Sequence, residues 1–233
     1  MSWAKTRAAL AAHLPAKLGE FVYPYRSRNI VDRQHGAAND GFWILGTNGE
    51  TALPALSNLL VQGRDHMELS CAIPAMGSKG IELLTNALAF TNGNVLDAAA
   101  LALGFQYQLG KSAVPALLNC VEHGYASYQV LGALGRIGCD DPRLVPALVR
   151  LAQTGSLTNG FCSEEMAFLL LGLQREKARA AAPLVINKYR LVASDPSAVK
   201  DRLFYRRILR AIAPDMEAQL PPIRPDEESE DWP

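Results

Sequence analysis

Residues 101–121 read Leu-Ala-Leu-Gly-Phe-Gln-Tyr-Gln-Leu-Gly-Lys-Ser-Ala-Val-Pro-Ala-Leu-Leu-Asn-Cys-Val, and this stretch decides the fold. An apolar run ends at Gly104, a polar link follows, and a second apolar run opens just before Pro115. Glycine favours the left-handed conformation just past a helix end, so Gly104 is predicted to end the first helix. Pro115 suits the first turn of the next helix, where its missing N–H breaks no hydrogen bond. The stretch therefore predicts two helices joined by a corner.

The same pattern recurs along the chain at intervals close to 30 residues. Each predicted second helix carries Pro or Glu near its start, at Pro54, Glu82, Pro115, Pro146 and Pro183, with spacings of 28, 33, 31 and 37 residues. The preceding helices are predicted to end at Gly46, near Gly77, and at Gly104, Gly135 and Gly172. Internal similarity at this period, with two helices in each unit, predicts an α-solenoid of stacked helix pairs.

Small and large apolar residues are expected to form the contacts between the helices. Small side chains allow close approach of two helices, and we expect this of Ala98, Ala99, Ala100, Ala102, Gly132 and Ala133. Leucines are expected to be buried, each contributing about 2 kcal/mol. These leucines are Leu101, Leu103, Leu131, Leu134, Leu169, Leu171 and Leu173.

The motif Leu-Gly-x-(turn)-Ala-Val-Pro-Ala-Leu-x-x-Leu resembles HEAT repeats, particularly the short bacterial kind related to phycobilisome-lyase repeats. The resemblance covers about residues 40–213. It implies an all-α, HEAT-like α-solenoid, that is, a right-handed superhelix of antiparallel helix pairs. The second unit departs from the motif, because its corner is shortened and Glu82 replaces the proline. Such arrays are mostly scaffolds, so the resemblance says more about fold than about function.

The chain is predicted to have three parts. Residues 1–45 are expected to form an N-terminal helical cap, residues 46–213 the repeat array with a terminal capping helix, and residues 214–233 a flexible acidic tail. The capping helix should run from about Ser197 to Ile212, because Asp195 and Pro196 give a helix-start signal. Prolines and seven acidic residues after Pro214 favour a flexible segment.

Composition limits the classes of function. Lys plus Arg and Asp plus Glu both number 23, and this balance argues against a dedicated nucleic-acid binder. No apolar run approaches the length of a membrane span. The four cysteines have none of the usual metal-site spacings, so we expect reduced thiols packed as small hydrophobes. We expect a cytoplasmic monomer that uses no cofactor, metal ion, nucleic acid or membrane.

Catalytic motifs are not found in the sequence. No serine, cysteine or threonine comes with a recognisable base motif, and residues 77–80 lack the spacing of a phosphate-binding loop. We therefore predict no catalytic residues and a non-enzymatic module that holds a protein or peptide on its concave face. The alternative is an enzyme or enzyme subunit of the HEAT-like lyase or DNA-glycosylase type. A glycosylase would need a basic groove and aromatic side chains to hold an extruded base.

A row of polar residues gives a candidate binding surface. Four residues after each Pro or Glu marker, the chain carries Asn58, Asn86, Asn119, Arg150 and Asn187, which we call the Asn row. Asparagine is a mediocre helix former, so helix propensity does not explain its recurrence. Its side-chain amide donates and accepts hydrogen bonds and could bind a peptide backbone at each step. The alternatives are that these side chains are solvated or bond to one another.

A second candidate surface is basic. Arg202, Arg206, Arg207 and Arg210 lie on one predicted helix, and residues four apart share a helix face. We expect the acidic residues 226–231 to lie transiently over this basic patch, because a short linker keeps the two charged segments close. The alternative is a solvated capping face followed by a solubilising tail.

Overall fold

The computed structural model describes residues 40–62, 69, 72–90, 92–154, 163–195 and 197–221. These residues contain helices and turns but no β-strand, which confirms the all-α class. Of the predicted N-terminal cap, only residues 40–45 lie in the described part, and they are helical. The α-helices that follow residue 52 in this part of the chain include α1 Leu53–Val61, α2 Ser78–Ala87, α3 Gly93–Gly104, α4 Val114–Glu122, α5 Tyr128–Ile137, α6 Leu144–Thr154, α7 Ser163–Leu173, α8 Ala182–Val192, α9 Val199–Ile212 and α10 Pro214–Glu217.

Proline begins the second helices as predicted. Pro54, Pro115 and Pro183 lie in the first turns of α1, α4 and α8, and a short 3-10 segment leads into each of these helices. The second unit is irregular, as the shortened corner suggested. Its helix α2 begins at Ser78, directly after Gly77, so Glu82 lies in the middle of the helix and does not replace a first-turn proline.

Three glycines do not have the role predicted for them. Gly104, Gly135 and Gly172 lie inside the last turns of α3, α5 and α7, and none is left-handed. An added Cβ at Gly104 would lie 2.9 Å from the Cα of Ala133, and one at Gly135 would lie 2.8 Å from a methyl of Leu170. The helix α3 does end at Gly104, as predicted, but the prediction of a left-handed cap was wrong for all three positions. The first two glycines instead leave space for the next helix to approach.

Residues with positive φ angles lie at the corners between the helices of each pair. They are Gly46, Gly77, Tyr107, Gly138 and Arg175, and Gly124 in the link between α4 and α5 also has a positive φ. Four of the five corner residues stand eight positions before the proline of the following helix, and the shortened second unit is the exception. The prediction was correct for Gly46 and Gly77. At the later corners the residues that reverse the chain are Tyr107, Gly138 and Arg175.

The helices pack in two ways around one continuous apolar core. The first helices α3, α5, α7 and α9 pack in succession, and the second helices α2, α4, α6 and α8 each pack against the first helix that follows in the chain. Ala99, Ala100, Ala102 and Ala133 are fully buried at these contacts, as predicted for small residues. Two leucines on α7, Leu169 and Leu173, are exposed, contrary to the prediction.

The chain after α9 differs from the expected flexible tail. It turns at Ala213 into the short helix α10, and Met216 and Leu220 pack against the core. Residues 214–221 therefore belong to the packed structure, because apolar side chains in this stretch reach the core. The remaining residues of the predicted tail, 222–233, lie outside the described part of the chain.

Candidate binding surfaces

The residues of the Asn row are all exposed. They lie one each on α1, α2, α4, α6 and α8, at equivalent positions relative to the start of the repeat motif. None of the five side chains makes a hydrogen bond or ion pair with a described residue. They therefore do not bond to one another, which leaves solvation or ligand binding. Their location on a concave face stays a prediction.

An open groove of about 380 Å³ lies beside one member of the row, between α1 and α2. Asn86 lies in its wall, and the apolar side chains of Leu60, Val61, Leu83 and Phe90 form much of its lining. Val61 and Phe90 are only partly covered by the protein. The groove therefore places an amide that can bind a peptide backbone next to a surface that can accept an apolar side chain.

One charged side chain at this groove is already paired. The Lys79 ammonium donates a hydrogen bond to the Glu50 carboxylate, and this bond together with the charge of Glu50 raises the pKa of Lys79. Glu82, one turn further along α2, is exposed at the same groove. The rim of the groove is therefore acidic on the side of Glu82.

The predicted basic patch is not a surface of four arginines. Arg202 and Arg206 are buried, whereas Arg207 and Arg210 are exposed. The Arg202 guanidinium donates to the backbone carbonyls of Val192 and Asp195, at the end of the preceding helix and the turn after it. Sequence spacing correctly placed the four residues on one helix. It did not show that two of them would be taken up by contacts inside the fold.

Arg206 and Arg210 hold α10 against α9. Arg206 donates from Nε and Nη2 to Oε1 of Glu217 at 3.0 and 2.7 Å, and its Nη1 donates to the carbonyl of Pro221. Arg210 adds a bond of 3.2 Å to the same carboxylate. Burial of Glu217 disfavours its charge, but the hydrogen bonds from Arg210 and Arg206 outweigh burial and lower the pKa of Glu217. The predicted contact with residues 226–231 lies outside the described residues.

The described thiols are free and buried. They are Cys120 and Cys139, and burial raises the pKa of both. Cys71 and Cys162 lie outside the described part. Among the described residues, no group of three His, Cys, Asp or Glu side chains is arranged to hold a metal ion. In the same ranges, no helix is long and apolar enough to cross a membrane.

A further surface lies along the corners, and no motif in the sequence indicated it. Its residues include Tyr107 and Arg175, which stand eight positions before Pro115 and Pro183. That offset from the proline is the signal that could have located them. An open groove of about 790 Å³ separates the corner at Gly138 from the corner at Arg175.

Comparison with known proteins adds no family to these observations. No protein-family model, no curated protein and no solved structure matches the chain. The class of protein that the structure defines is an all-helical one with exposed polar side chains at recurring positions. The similarity to HEAT repeats rests on the Gly and Pro pattern of the sequence alone.

Proposed function

We propose that the protein is a non-catalytic binding module built as a HEAT-like α-solenoid, which holds a protein or peptide segment along its second helices. The observation that carries this proposal is the exposure of the whole Asn row on five helices, with no partner for these side chains among the described residues. An asparagine amide can donate to a peptide carbonyl and accept from a peptide N–H. A row of such amides suits an extended segment.

The experiment combines capture with substitution of two central members of the row. Tagged protein is used to capture a partner from a cell lysate, the partner is identified by mass spectrometry, and its affinity is then measured with purified components. Replacing Asn86 and Asn119 together by Ala removes two hydrogen-bonding groups from the surface. At about 1 kcal/mol for each hydrogen bond, affinity should fall roughly 30-fold.

A matched control tests whether the loss of any exposed amide lowers affinity, or only the loss of amides in the Asn row. Asn94 on α3 is also exposed but lies outside the row, and Asn94→Ala should leave affinity unchanged. Circular dichroism should show the same helical signal for all three proteins. If the Asn86 and Asn119 double variant kept full affinity for the partner, the Asn row would not be part of the binding surface.

A further inference from the structure

The five corners differ in the residue that has a positive φ angle. Three corners use Gly46, Gly77 and Gly138, whereas the other two use Tyr107 and Arg175. A positive φ disfavours any residue with a Cβ, and most of all a bulky one. Both side chains are exposed, so burial does not offset this cost. The two residues are therefore unfavourable for folding at their positions, and a surface role accounts for them.

Exposed apolar side chains flank both of these residues. Phe105 is 48% exposed and Leu109 is 60% exposed, on either side of Tyr107, which is itself 58% exposed. Leu173, two positions before Arg175, is 66% exposed. Arg136 lies between the two groups in the fold: its guanidinium lies over the Phe105 ring at 4.9 Å, and a Cβ added at the preceding residue, Gly135, would lie 4.0 Å from a methyl of Leu173. We call these residues the corner surface: Phe105, Tyr107, Leu109, Arg136, Leu173 and Arg175.

The corner surface continues into the groove of about 790 Å³. Leu134 and Leu170 contribute to its lining from the core, and Leu173 and Arg175 stand at its outer side. Ala211 of α9 also contributes to the lining. The lining is mixed, because Asp140, Gln174, Glu176 and Lys177 join the apolar side chains. The groove therefore offers Leu134, Leu170 and Leu173 to an apolar side chain, and Arg175 beside them to a carboxylate.

The charges along the corner surface leave an excess of cations. Of the neighbouring acids, Asp140 pairs with Lys177, whereas Glu176 acts on Arg179 only through its charge, and Arg179 pairs with Asp215.

Three cations at this edge have no carboxylate partner among the described residues, namely Lys111, Arg136 and Arg175. Nη1 of Arg136 is buried and makes no hydrogen bond with any described residue, but the side chain as a whole is partly exposed. Its remaining guanidinium donors can bind an incoming carboxylate.

We propose that the corner surface docks a segment of a partner protein in which carboxylates flank a large apolar side chain. The apolar side chain enters the groove beside Leu170 and Leu173, and the carboxylates bind Arg175 and Arg136. Phe105, Tyr107 and Leu109 extend the apolar contact along the neighbouring corner. This surface lies at the corners between the helices of each pair, apart from the Asn row on the second helices, and the two surfaces can be tested separately.

The test uses the full chain and two labelled synthetic peptides. The acidic probe is Glu-Asp-Trp-Leu-Asp-Glu and the matched basic probe is Lys-Lys-Trp-Leu-Lys-Lys, both capped at their ends and followed by fluorescence anisotropy. The acidic probe should bind at least tenfold more tightly than the basic one. Tyr107→Gly and Arg175→Gly should each weaken its binding at least fivefold without lowering the melting temperature, because glycine is favoured at positive φ. Arg190→Ala, an exposed arginine on α8, should have no effect.

Several results would overturn the proposal. Equal binding of the two probes would show that the cations do not select a partner. Unchanged affinity of Arg175→Gly would remove the corner from the site, and a clear fall in melting temperature of the glycine variants would show that the side chains serve the fold. If a chain ending at residue 221 bound the acidic probe much more tightly than the full chain, the occupant would be the chain's own acidic segment 226–231. If the Asn86 and Asn119 double variant also lost binding of the acidic probe, the Asn row and the corner surface would belong to one binding site.

Discussion

Alanine substitution at Gly104, Gly135 and Gly172 tests how closely the first helices pack. The three glycines stand eleven residues before Pro115, Pro146 and Pro183, so they occupy one position in three consecutive helix pairs. A Cβ added at Gly104 would lie 2.9 Å from the backbone Cα of Ala133, and a Cβ added at Gly135 would lie 2.8 Å from a methyl of Leu170. At Gly172 the nearest atom is a side-chain carbon of Ile208 at 3.7 Å, which is an ordinary contact.

The three substitutions should therefore differ in the free energy of unfolding. Alanine is favoured over glycine inside a helix by about 1 kcal/mol, and Gly172→Ala, in the last turn of α7 and without a close contact, should keep part of this gain. Gly135→Ala should be close to neutral, because the Leu170 side chain can move aside. Gly104→Ala presses against backbone, and overpacking of this kind costs about 1–3 kcal/mol. Gly104 is also the last residue of its helix, so little propensity gain offsets that cost.

Urea and thermal unfolding followed by circular dichroism measure the series. For a chain of this length, each kcal/mol corresponds to roughly 2–4 °C in melting temperature. The expected order of stability is Gly172→Ala, then the unaltered protein and Gly135→Ala together, then Gly104→Ala. An equal denaturant slope for all four proteins would show that the unfolded states are comparable. A Gly104→Ala variant as stable as Gly172→Ala would refute the close approach of α3 and α5.

Two further predictions concern polar contacts between elements. Ser127 accepts from the N–H of Val130 at the start of α5 and donates to Asp97 of α3, so Ser127→Ala should lower the free energy of unfolding by about 1–2 kcal/mol in urea denaturation, and Ser127→Thr should restore part of it. The fold lowers the pKa of Glu217, so its contribution to stability is present above the carboxyl's unfolded pKa and is lost as pH falls through the folded value. Urea denaturation at pH 7 and pH 4 should therefore show a smaller loss on acidification for Glu217→Gln than for the unaltered protein; an equal loss would contradict the pairing with Arg206.

Local signals explain the part of the fold that could be predicted. Proline at the first turn and the run of apolar residues behind it act within a few residues, so Pro54, Pro115 and Pro183 marked the starts of α1, α4 and α8 correctly. The exposure of the Asn row was predictable for the same reason, because helical periodicity places residues four apart on one face.

Some positions could not be read from local patterns. The apolar run Phe168-Leu-Leu-Leu171 in α7 has no polar face, so periodicity could not show that Leu169 would be exposed while its neighbours are buried. The irregular start of α2 depends on Gly77, which allows the helix to begin at once, and therefore on a corner shorter than the others.

The sequence by itself determined the helical class, the starts of most second helices and the recurrence of polar residues on them, because these depend on residues a few positions apart. Tertiary structure decided the rest. Gly104 makes space for Ala133, 29 positions further on, and Arg206 is buried because Glu217 folds back on it through α10. Contacts that form only in the folded chain decide which glycine turns the chain and which one leaves space for a neighbouring helix. They also decide which arginine faces solvent.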